Sequence, residues 1–401
     1  MTHPTPPADG PAFVAQGKPS PWRDPKVRSL VVQLLTAAGL AWFFWTLFDN
    51  TLTNMAQRGI ATGFGFLERT SGFAILMSLV PYDDTMSYGR TFMVGLLNTL
   101  LVSALGIVVS TVIGFIVGIS RLSRNWLISR LALAYVEVLR NIPLLLQVFF
   151  WYFAVLRSLP GPRDSHALGD SLFLNNRGLY IPRPVAEDGL GLVFLALGVA
   201  VVAALALGRW AYRRQRLTGQ PFPTLLTGGS LIVGLPLLTF WAAGTPLSVE
   251  TPALQGFNFQ GGVRLIPELV ALTAALSLYT AAFIAEVVRG GILAISHGQT
   301  EAASALGLRP SLTLRLVILP QAMRVIIPPL TSQYLNLIKN SSLATAIGYP
   351  DLVAVFMGTT LNQTGQAVEI VAMTMAVYLV LSLVISVLMN WYNSAVALKE
   401  R

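Results

Sequence analysis

Residues 280–330 read TAAFIAEVVRGGILAISHGQTEAASALGLRPSLTLRLVILPQAMRVIIPPL and decide the fold. The pattern predicts an apolar helix that ends near Glu286 and Arg289, a short polar helix between Ser296 and Gly307, and a second apolar helix from Leu316. The middle helix has only about ten residues, which makes it marginal alone in water. A short polar helix with its own start and stop signals, between two membrane-length segments, indicates a docking element for a cytoplasmic partner.

Composition places the chain in a membrane. Of its 401 residues, 54% are hydrophobic and 11% are charged, and the mean hydropathy is +0.64. This is more apolar surface than one soluble core can bury, so lipid must cover the remainder. Long apolar runs favour helices over a barrel, because about 20 helical residues cross the hydrocarbon with every backbone group satisfied. The chain contains no cysteine, which excludes disulfides and thiolate metal sites.

The distribution of charge predicts the orientation. The net charge is +9, and the basic residues collect in short loops beside apolar runs, which is typical of cytoplasmic segments rather than of a nucleic-acid-binding surface. We therefore expect no nucleic-acid partner and eight spans with both termini cytoplasmic. The predicted spans are residues 29–48, 91–119, 143–159, 190–207, 222–243, 267–288, 316–338 and 368–392.

These spans divide the chain into a core and additions. The core is predicted in two parts, residues 91–159 and 263–395, and the second part contains a coupling loop at 291–315. An insertion at 160–262 contributes two of the transmembrane helices. The remaining segments are a basic cytoplasmic tail at 1–28, an extra transmembrane helix at 29–48, an outer loop at 49–90 and a cytoplasmic tail at 396–401.

Two places depart from simple spans. Residues 126–160 are too long for one perpendicular crossing, and Pro143 disfavours a helical residue before it, so we expect an interfacial helix at 126–140 and a span from Pro143. Residues 339–367 form a polar segment that contains Asn340, Ser341, Pro350 and three glycines. They predict a loop or broken helix that protein or water must cover.

The docking segment carries the signals of a capped helix. Ser296 and Gln299 have the spacing of a capping box, and Gly307 suits the left-handed position just beyond a helix end. Ala302 and Ala303 keep the helix slim enough for a groove. Glu301 lies in the first turn, where the helix dipole favours negative charge and a basic partner residue could meet it. Pro310 is expected to begin the next helix and Pro320 to kink it.

At this point the residues carry a family resemblance. Glu301-Ala302-Ala303 followed by Gly307 resembles the EAA signature of ABC importer permeases, although Val317 stands where that family usually has Ile. The flanking sequences are similar to permeases of polar amino-acid importers, and the long N-terminus and central insertion resemble the larger general L-amino-acid permease subunit. The matching stretches are FIAEVVRGGI at 283–292, LPQAMRVIIPPL at 319–330 and YVEVLRNIPLLLQ at 135–147.

The resemblance implies an all-α integral membrane protein with a type I ABC importer permease core and a cytoplasmic coupling helix. It also implies a bacterial inner-membrane complex of this chain with a sister permease, two cytoplasmic ATPase subunits and a periplasmic amino-acid-binding protein. Coupling to the ATPase would rest on Gln299, Glu301, Ala302, Ala303 and Gly307. The outer loops, including residues 49–90, would then be periplasmic, and those of the insertion are a hypothetical seat for the binding protein.

Chemistry by this chain alone is not expected. No GxxxxGK[ST] phosphate-binding loop occurs, so ATP and Mg would be bound by the partner ATPase and no cofactor by this chain. The three histidines, at positions 3, 166 and 297, fall in predicted loops or the tail. We therefore predict no catalytic residues and no metal site.

Charged residues near span ends have two interpretations. Glu137 and Arg140, like Glu286 and Arg289, are three residues apart at the cytoplasmic ends of predicted helices. They are either ion pairs at the interface or gating pairs that transmit motion between the coupling helix and the transport pathway.

A polar cluster is the candidate substrate site. Asn336, Lys339, Asn340 and Ser341 lie where a predicted span gives way to irregular backbone, and intramembrane polar residues of this kind often bind substrate in transporters. The alternative is that Lys339 extends to the interface and the serine caps the next turn.

Two function classes remain. The first is an importer permease driven by a separate ATPase. The second is a stand-alone secondary amino-acid transporter driven by an ion gradient, which would need acidic residues near mid-span. The carboxylates Glu137, Glu268, Glu286 and Glu369 lie toward span ends, which favours the first class.

Within the second span, Gly114 and Gly118 form a GxxxG pattern that predicts close helix packing.

Overall fold

The computed structural model describes residues 25–57, 59 and 62–396. Within them, seven helices are long and apolar enough to cross a membrane, and a bent helix pair at Trp126–Asn141 and Leu144–Leu156 makes up to eight. The predicted all-α membrane fold is therefore confirmed, and seven or eight helices of spanning length agree with the prediction of eight spans. The seven single spans are Pro25–Met55, Tyr88–Ser120, Leu190–Thr218, Thr224–Ala242, Pro267–Leu293, Pro310–Ile347 and Ala367–Ser394.

The N-terminal helix, α1 (Pro25–Gln57), belongs to a separate unit that extends to Phe64. It contains the predicted span 29–48 but continues nine residues beyond it, so the outer loop does not begin at residue 49. No proline or glycine interrupts residues 49–57, which leaves nothing local to end the helix. The first 24 residues of the predicted tail, and the last five of the chain, lie outside the described residues.

The core is built on α2 (Tyr88–Ser120) and α7 (Pro267–Leu293), which pack along each other. A Cβ added at Gly114 would lie 2.5 Å from Cγ2 of Ile284, and one at Gly118 would lie 2.8 Å from the carbonyl oxygen of Ala285. The GxxxG pattern therefore serves packing within this chain. Close approach needs glycine because any side chain would separate the two helices.

Helices α3 (Trp126–Asn141) and α4 (Leu144–Phe149) meet at an angle of 105°. The break lies at Ile142, whose backbone is extended, and Pro143 follows it directly, as the sequence predicts. A π-helical stretch, Phe150–Leu156, continues α4. The predicted boundaries at 126–140 and Pro143 thus agree with the structure to within one residue.

The insertion contains a helical hairpin, α5 (Leu190–Thr218) and α6 (Thr224–Ala242), and short strands that the sequence did not predict. Three antiparallel sheets form, in the orders β1-β2-β3-β8, β4-β5 and β6-β7. Each strand has only three or four residues, too few to display the alternation that identifies strands. Strand bounds are β1 His166–Leu168, β2 Leu172–Asn175, β3 Gly178–Ile181, β4 Arg183–Ala186, β5 Leu247–Glu250, β6 Ala253–Gln255, β7 Asn258–Gln260 and β8 Val263–Leu265.

The C-terminal part begins with α8 (His297–Ala305) and α9 (Pro310–Thr313), then a π-helical turn over Leu314–Ile318. The turn ends two residues before Pro320, where the sequence predicts a kink, and Pro320 lies in the first turn of α10 (Leu319–Asn340). A 3₁₀ segment Ser341–Ile347, a π-helical segment Val353–Thr360 and the short α11 (Leu361–Thr364) form the predicted irregular region, and α12 (Ala367–Val396) ends the described chain.

Candidate functional site

The short helix α8 is held to the bundle on one side. Ala303 is buried at 3% exposure against the segment that follows the loop. Gln299 Oε1 accepts a hydrogen bond of 3.2 Å from Gln321 Nε2 on α10. The predicted capping box is therefore wrong: Gln299 is engaged across to α10, and Ser296 caps no backbone amide with its side chain.

The end of α8 follows the prediction closely. Gly307 adopts φ +74°, its amide donates to the carbonyl of Ser304 (2.9 Å), and the amide of Leu308 donates to the carbonyl of Ala303 (3.1 Å). This pair of bonds is a Schellman motif, which satisfies the last carbonyls of a helix. Glycine is required because a Cβ disfavours positive φ.

The other side of α8 faces outward, and among the described residues no other helix covers it. Glu301 and Ala302 are exposed, and Leu306 is 80% exposed. His297 Nδ1 lies 3.1 Å from Glu301 Oε1, one helical turn away, so Glu301 is oriented along the exposed face. A leucine presented in this way at a rigid helix end suits insertion into a pocket of another protein.

Charged side chains join α7 to the end of α2 near this loop. Glu286 contacts Arg121 through Oε1 and accepts two hydrogen bonds from Arg289 through Oε2, at 3.0 and 3.2 Å. Both partners of the Arg121 contact are less than one quarter exposed. Because one carboxylate bridges two guanidinium groups, this ion cluster fixes the end of α2 on α7 at the base of the coupling loop.

The second predicted ion pair does not form. Arg140 Cζ lies 5.0 Å from the ring centroid of Phe283, and Glu137 accepts hydrogen bonds from the side-chain amide of Asn141 instead. The aromatic face competes for the guanidinium, which explains the difference from the sequence prediction. Burial lowers the pKa of Arg121, as does the charge of Arg289, while Glu137 opposes this, so Glu137 still acts on the ion cluster through space.

The irregular region after α10 is tied to α2 by buried polar groups. Asn98 Nδ2 donates to the carbonyls of Met77 and Pro350, both at 2.9 Å, and Tyr349 Oη donates to the carbonyl of Asn98. Thr99 Oγ1 accepts from the amide of Leu352 at 3.0 Å. These bonds satisfy backbone that no helix satisfies, as the hydrocarbon requires.

An acidic side chain lies at the centre of this region. Asp351 is fully buried, and its Oδ1 accepts from the amide of Ala354 at 2.8 Å, which caps the start of the next helical segment. The sequence prediction that carboxylates lie only toward span ends therefore overlooked this residue.

The four predicted substrate residues differ in their exposure in the structure. Asn336 and Lys339 are exposed one turn apart on α10, Asn340 is half-buried, and Ser341 is buried with its hydroxyl bonded to the carbonyl of Ile338. Lys339 borders a cavity of about 460 Å³. The other residues around this cavity are Ser342, Val353, Met357, Thr374, Met375 and Tyr378.

Sequence reasoning missed several members of these sites. The sequence alone places Arg121 in a basic segment after a span and Leu306 within the coupling loop at 291–315, and neither position carries a local signal of its contacts. Asn98 and Thr99 interrupt an otherwise apolar span, and that interruption is the signal that could have identified them. Asp351 follows Pro350 in a segment already predicted to be irregular, but the bonds of its neighbours Pro350 and Leu352 to α2 leave no local pattern.

Comparison with known proteins gives a consistent result. Residues 110–398 match the family described as "Binding-protein-dependent transport system inner membrane component". The chain is 56% identical over 94% of its length, and 96% of the relative, to the "Putative amino-acid ABC transporter permease protein YhdX" of Escherichia coli (strain K12).

Two further relatives match over similar lengths. The "General L-amino acid transport system permease protein AapQ" of Rhizobium johnstonii is 55% identical over 94% of both chains. The "Glutamate/glutamine/aspartate/asparagine transport system permease protein BztB" of Rhodobacter capsulatus is 42% identical over 94% of this chain and 96% of the relative.

Proposed function

The chain belongs to the family of inner membrane components of binding-protein-dependent transport systems, and on that premise we propose that it is the permease subunit of an ATP-driven importer of L-amino acids, polar or broad in range. Its relatives with near full-length matches are permeases whose names refer to amino acids, L-amino acids, or glutamate, glutamine, aspartate and asparagine. The chain lies in the bacterial inner membrane with both termini and α8 cytoplasmic. A periplasmic binding protein delivers the substrate.

Transport is driven through α8. Two ATPase subunits bind ATP and Mg, and a sister permease completes the pathway. The observation that carries this proposal is the geometry of α8: Ala303 anchors one side, while Glu301, Ala302 and Leu306 face outward. A helix that packs on one side and is exposed on the other can transmit a displacement imposed by a partner to α10, because Gln299 and the following turn connect the two helices.

Reconstitution tests this coupling. Vesicles with the chain and its sister permease, with and without the ATPase subunits, are supplied with the binding protein and labelled amino acid. Uptake is expected only with ATPase and ATP. Leu306→Ser should lower ATP-dependent uptake about tenfold, since losing an anchor residue at an interface costs about 1–2 kcal/mol.

The matched control for that variant is Leu217→Ser, which changes another exposed leucine, 86% accessible, at the end of α5. It should leave uptake unchanged. Uptake driven by an ion gradient without the ATPase, or equal uptake by both leucine variants, contradicts the proposed coupling.

Lys339 is the proposed contact for the substrate carboxylate. Its ammonium group provides three donors, and the residues that line the same cavity include Ser342, Thr374 and Tyr378. Asn336 lies one turn earlier on the same face, whereas Ser341 is turned into the bundle and supports the backbone. Of the four predicted residues, the structure thus favours Lys339 as the ligand.

Lys339→Met tests this assignment. It should raise the substrate concentration for half-maximal uptake at least tenfold, as expected for the loss of one charged hydrogen bond of about 1.5–3 kcal/mol, while the assembled complex keeps its amount in the membrane. Lys339→Arg should retain part of the affinity. Unchanged concentration dependence in Lys339→Met would show that this lysine does not contact the substrate.

A further inference from the structure

The inserted hairpin ends in a basic segment that the transport proposal does not use. Four arginines, Arg209, Arg213, Arg214 and Arg216, lie within the last turns of α5. Between Asp188 and Glu250 the sequence has no acidic residue. Within residues 25–57, 59 and 62–396, the three ion pairs of the structure involve none of these arginines.

The lengths of the two helices place this segment at a membrane surface. Helix α5 has 29 residues and α6 has 19. At about 1.5 Å per residue, α6 is close to the roughly 30 Å of a hydrocarbon layer, and α5 is longer by about 15 Å. Trp210 packs edge-on against Phe222, just before α6, with ring centroids 5.4 Å apart. Trp210 therefore marks the hydrocarbon boundary, and Arg213 and Arg216 lie beyond it.

The arginine-bearing end of α5 lies on the same side of the membrane as the coupling loop. The opposite end of the hairpin is joined to the strands, since the amide of Glu187 donates to the carbonyl of Pro246 beside β4 and β5. Strand β8 runs directly into the start of α7. Helix α5 starts at this end and runs away from it, as α7 does, so its last turns lie at the level where α7 leads into α8.

Three of the four arginines share one face of α5. Arg209, Arg213 and Arg216 have the spacing of one helical face, which lies away from the buried Ala211. Arg216 Cζ lies 5.5 Å from the ring centroid of Tyr212 on that face. On the flank, Arg214 stacks over Trp210 at 5.4 Å and donates to Gln220. Stacking holds the guanidinium planes while leaving their outer N–H groups free.

We propose that the face formed by Arg209, Tyr212, Arg213 and Arg216 binds the phosphate headgroups of anionic phospholipids in the adjoining leaflet. Guanidinium groups bind phosphate oxygens in pairs, and tyrosine and tryptophan are the side chains that reside at the headgroup level. Basic clusters directly beyond a membrane span attract anionic lipids in this way. In the described chain, α5 and α6 pack chiefly against each other, so the lipid contact anchors a hairpin that the core does not hold.

Lipid titration tests the proposal. The full chain is purified in neutral detergent, stripped of lipid, and titrated with phosphatidylglycerol or with phosphatidylcholine of the same acyl chains, and adducts are counted by native mass spectrometry. The unmodified chain should prefer phosphatidylglycerol about tenfold. Arg213→Gln with Arg216→Gln should remove most of that preference, while Arg213→Lys with Arg216→Lys should keep most of it, because charge carries much of the attraction.

The matched control removes two exposed arginines of the coupling loop region, Arg309→Gln with Arg315→Gln. It should retain the preference. An equal loss in the control pair would show attraction by net charge alone and would overturn the site. Displacement of the lipid by inorganic phosphate at the same concentration would assign a site for free anions instead.

An unaltered preference in the Arg213 and Arg216 glutamine variant also overturns the proposal. If that variant keeps its lipid but no longer retains the ATPase subunits on copurification, the face binds an acidic protein surface and the lipid assignment is wrong.

Discussion

Helices α7 and α6 both meet the hydropathy and length of a membrane span, yet they are used in different ways. In the most apolar stretch of α7, 56% of the residues are buried inside the protein, against 6% in α6. Helix α7 packs on α2, α3 and α10, whereas α6 packs chiefly on α5. Hydropathy thus identifies both as spans, but only side-chain size and polar contacts distinguish a core helix from a peripheral one.

The glycines make the same distinction. A Cβ added at any glycine of α2 would lie within 3.2 Å of a neighbouring atom. A Cβ added at Gly198 or Gly208 of α5, or at Gly234 of α6, would have no atom within 4 Å. Polar groups differ as well, since α2 contributes Asn98 and Thr99 to buried hydrogen bonds. The packing of α2 against α7 is therefore sensitive to a single added carbon, and the packing of α5 against α6 is not.

The largest predicted effect follows from this contrast. Gly114→Leu should destabilise the protein by about 1–3 kcal/mol or more, because its Cβ overlaps Ile284 and overpacked cores must shift. The measurement is the temperature at which half of the detergent-purified protein aggregates, read by size-exclusion chromatography. Gly198→Leu is the control, with open space around it, and should shift that temperature by little. Equal losses in both variants would abolish the distinction between the two pairs.

A smaller effect is expected at the end of the core pair. Glu286→Gln leaves Arg121 and Arg289 close together without the carboxylate that bridges them. Assembly should persist, because the helices are held by apolar packing, but ATP-dependent uptake should fall about threefold to tenfold if the ion cluster transmits motion from the coupling loop, a loss of about 1 kcal/mol.

The control for that variant is Glu250→Gln, at an exposed position in β5 of the insertion, which should leave uptake unchanged. Full uptake by Glu286→Gln would show that the cluster only fixes helix ends, and the gating interpretation would then be abandoned.

Much of this fold could be predicted from local signals. Span number, the break before Pro143 and the helix stop at Gly307 depend on composition and backbone chemistry that a sequence displays directly. Contacts between distant residues could not be predicted, because they leave no periodic pattern. Arg140 stacks on Phe283 rather than pairing with Glu137, and Gln299 bonds to Gln321 rather than closing a capping box.

The same limit applies to the candidate sites. The coupling loop is one continuous segment, so its residues could be named in advance. The cavity beside Lys339 is formed by α10, the irregular segment and α12, which only the tertiary structure brings together. Asp351 is recognisable as important only once its burial is known.

The central claim is that the exposed face of α8, formed by Glu301, Ala302 and Leu306, is cytoplasmic and covered by the ATPase. Because the chain has no cysteine, a single one at Ala302 can be labelled with a membrane-impermeant thiol reagent, and one at Ala303 provides the buried control. We expect Ala302→Cys to react in inside-out vesicles that lack the ATPase and to be protected when the ATPase is present, with Ala303→Cys unreactive in both. Labelling of Ala302→Cys from the periplasmic side of sealed vesicles, or equal labelling with and without the ATPase, would contradict the account.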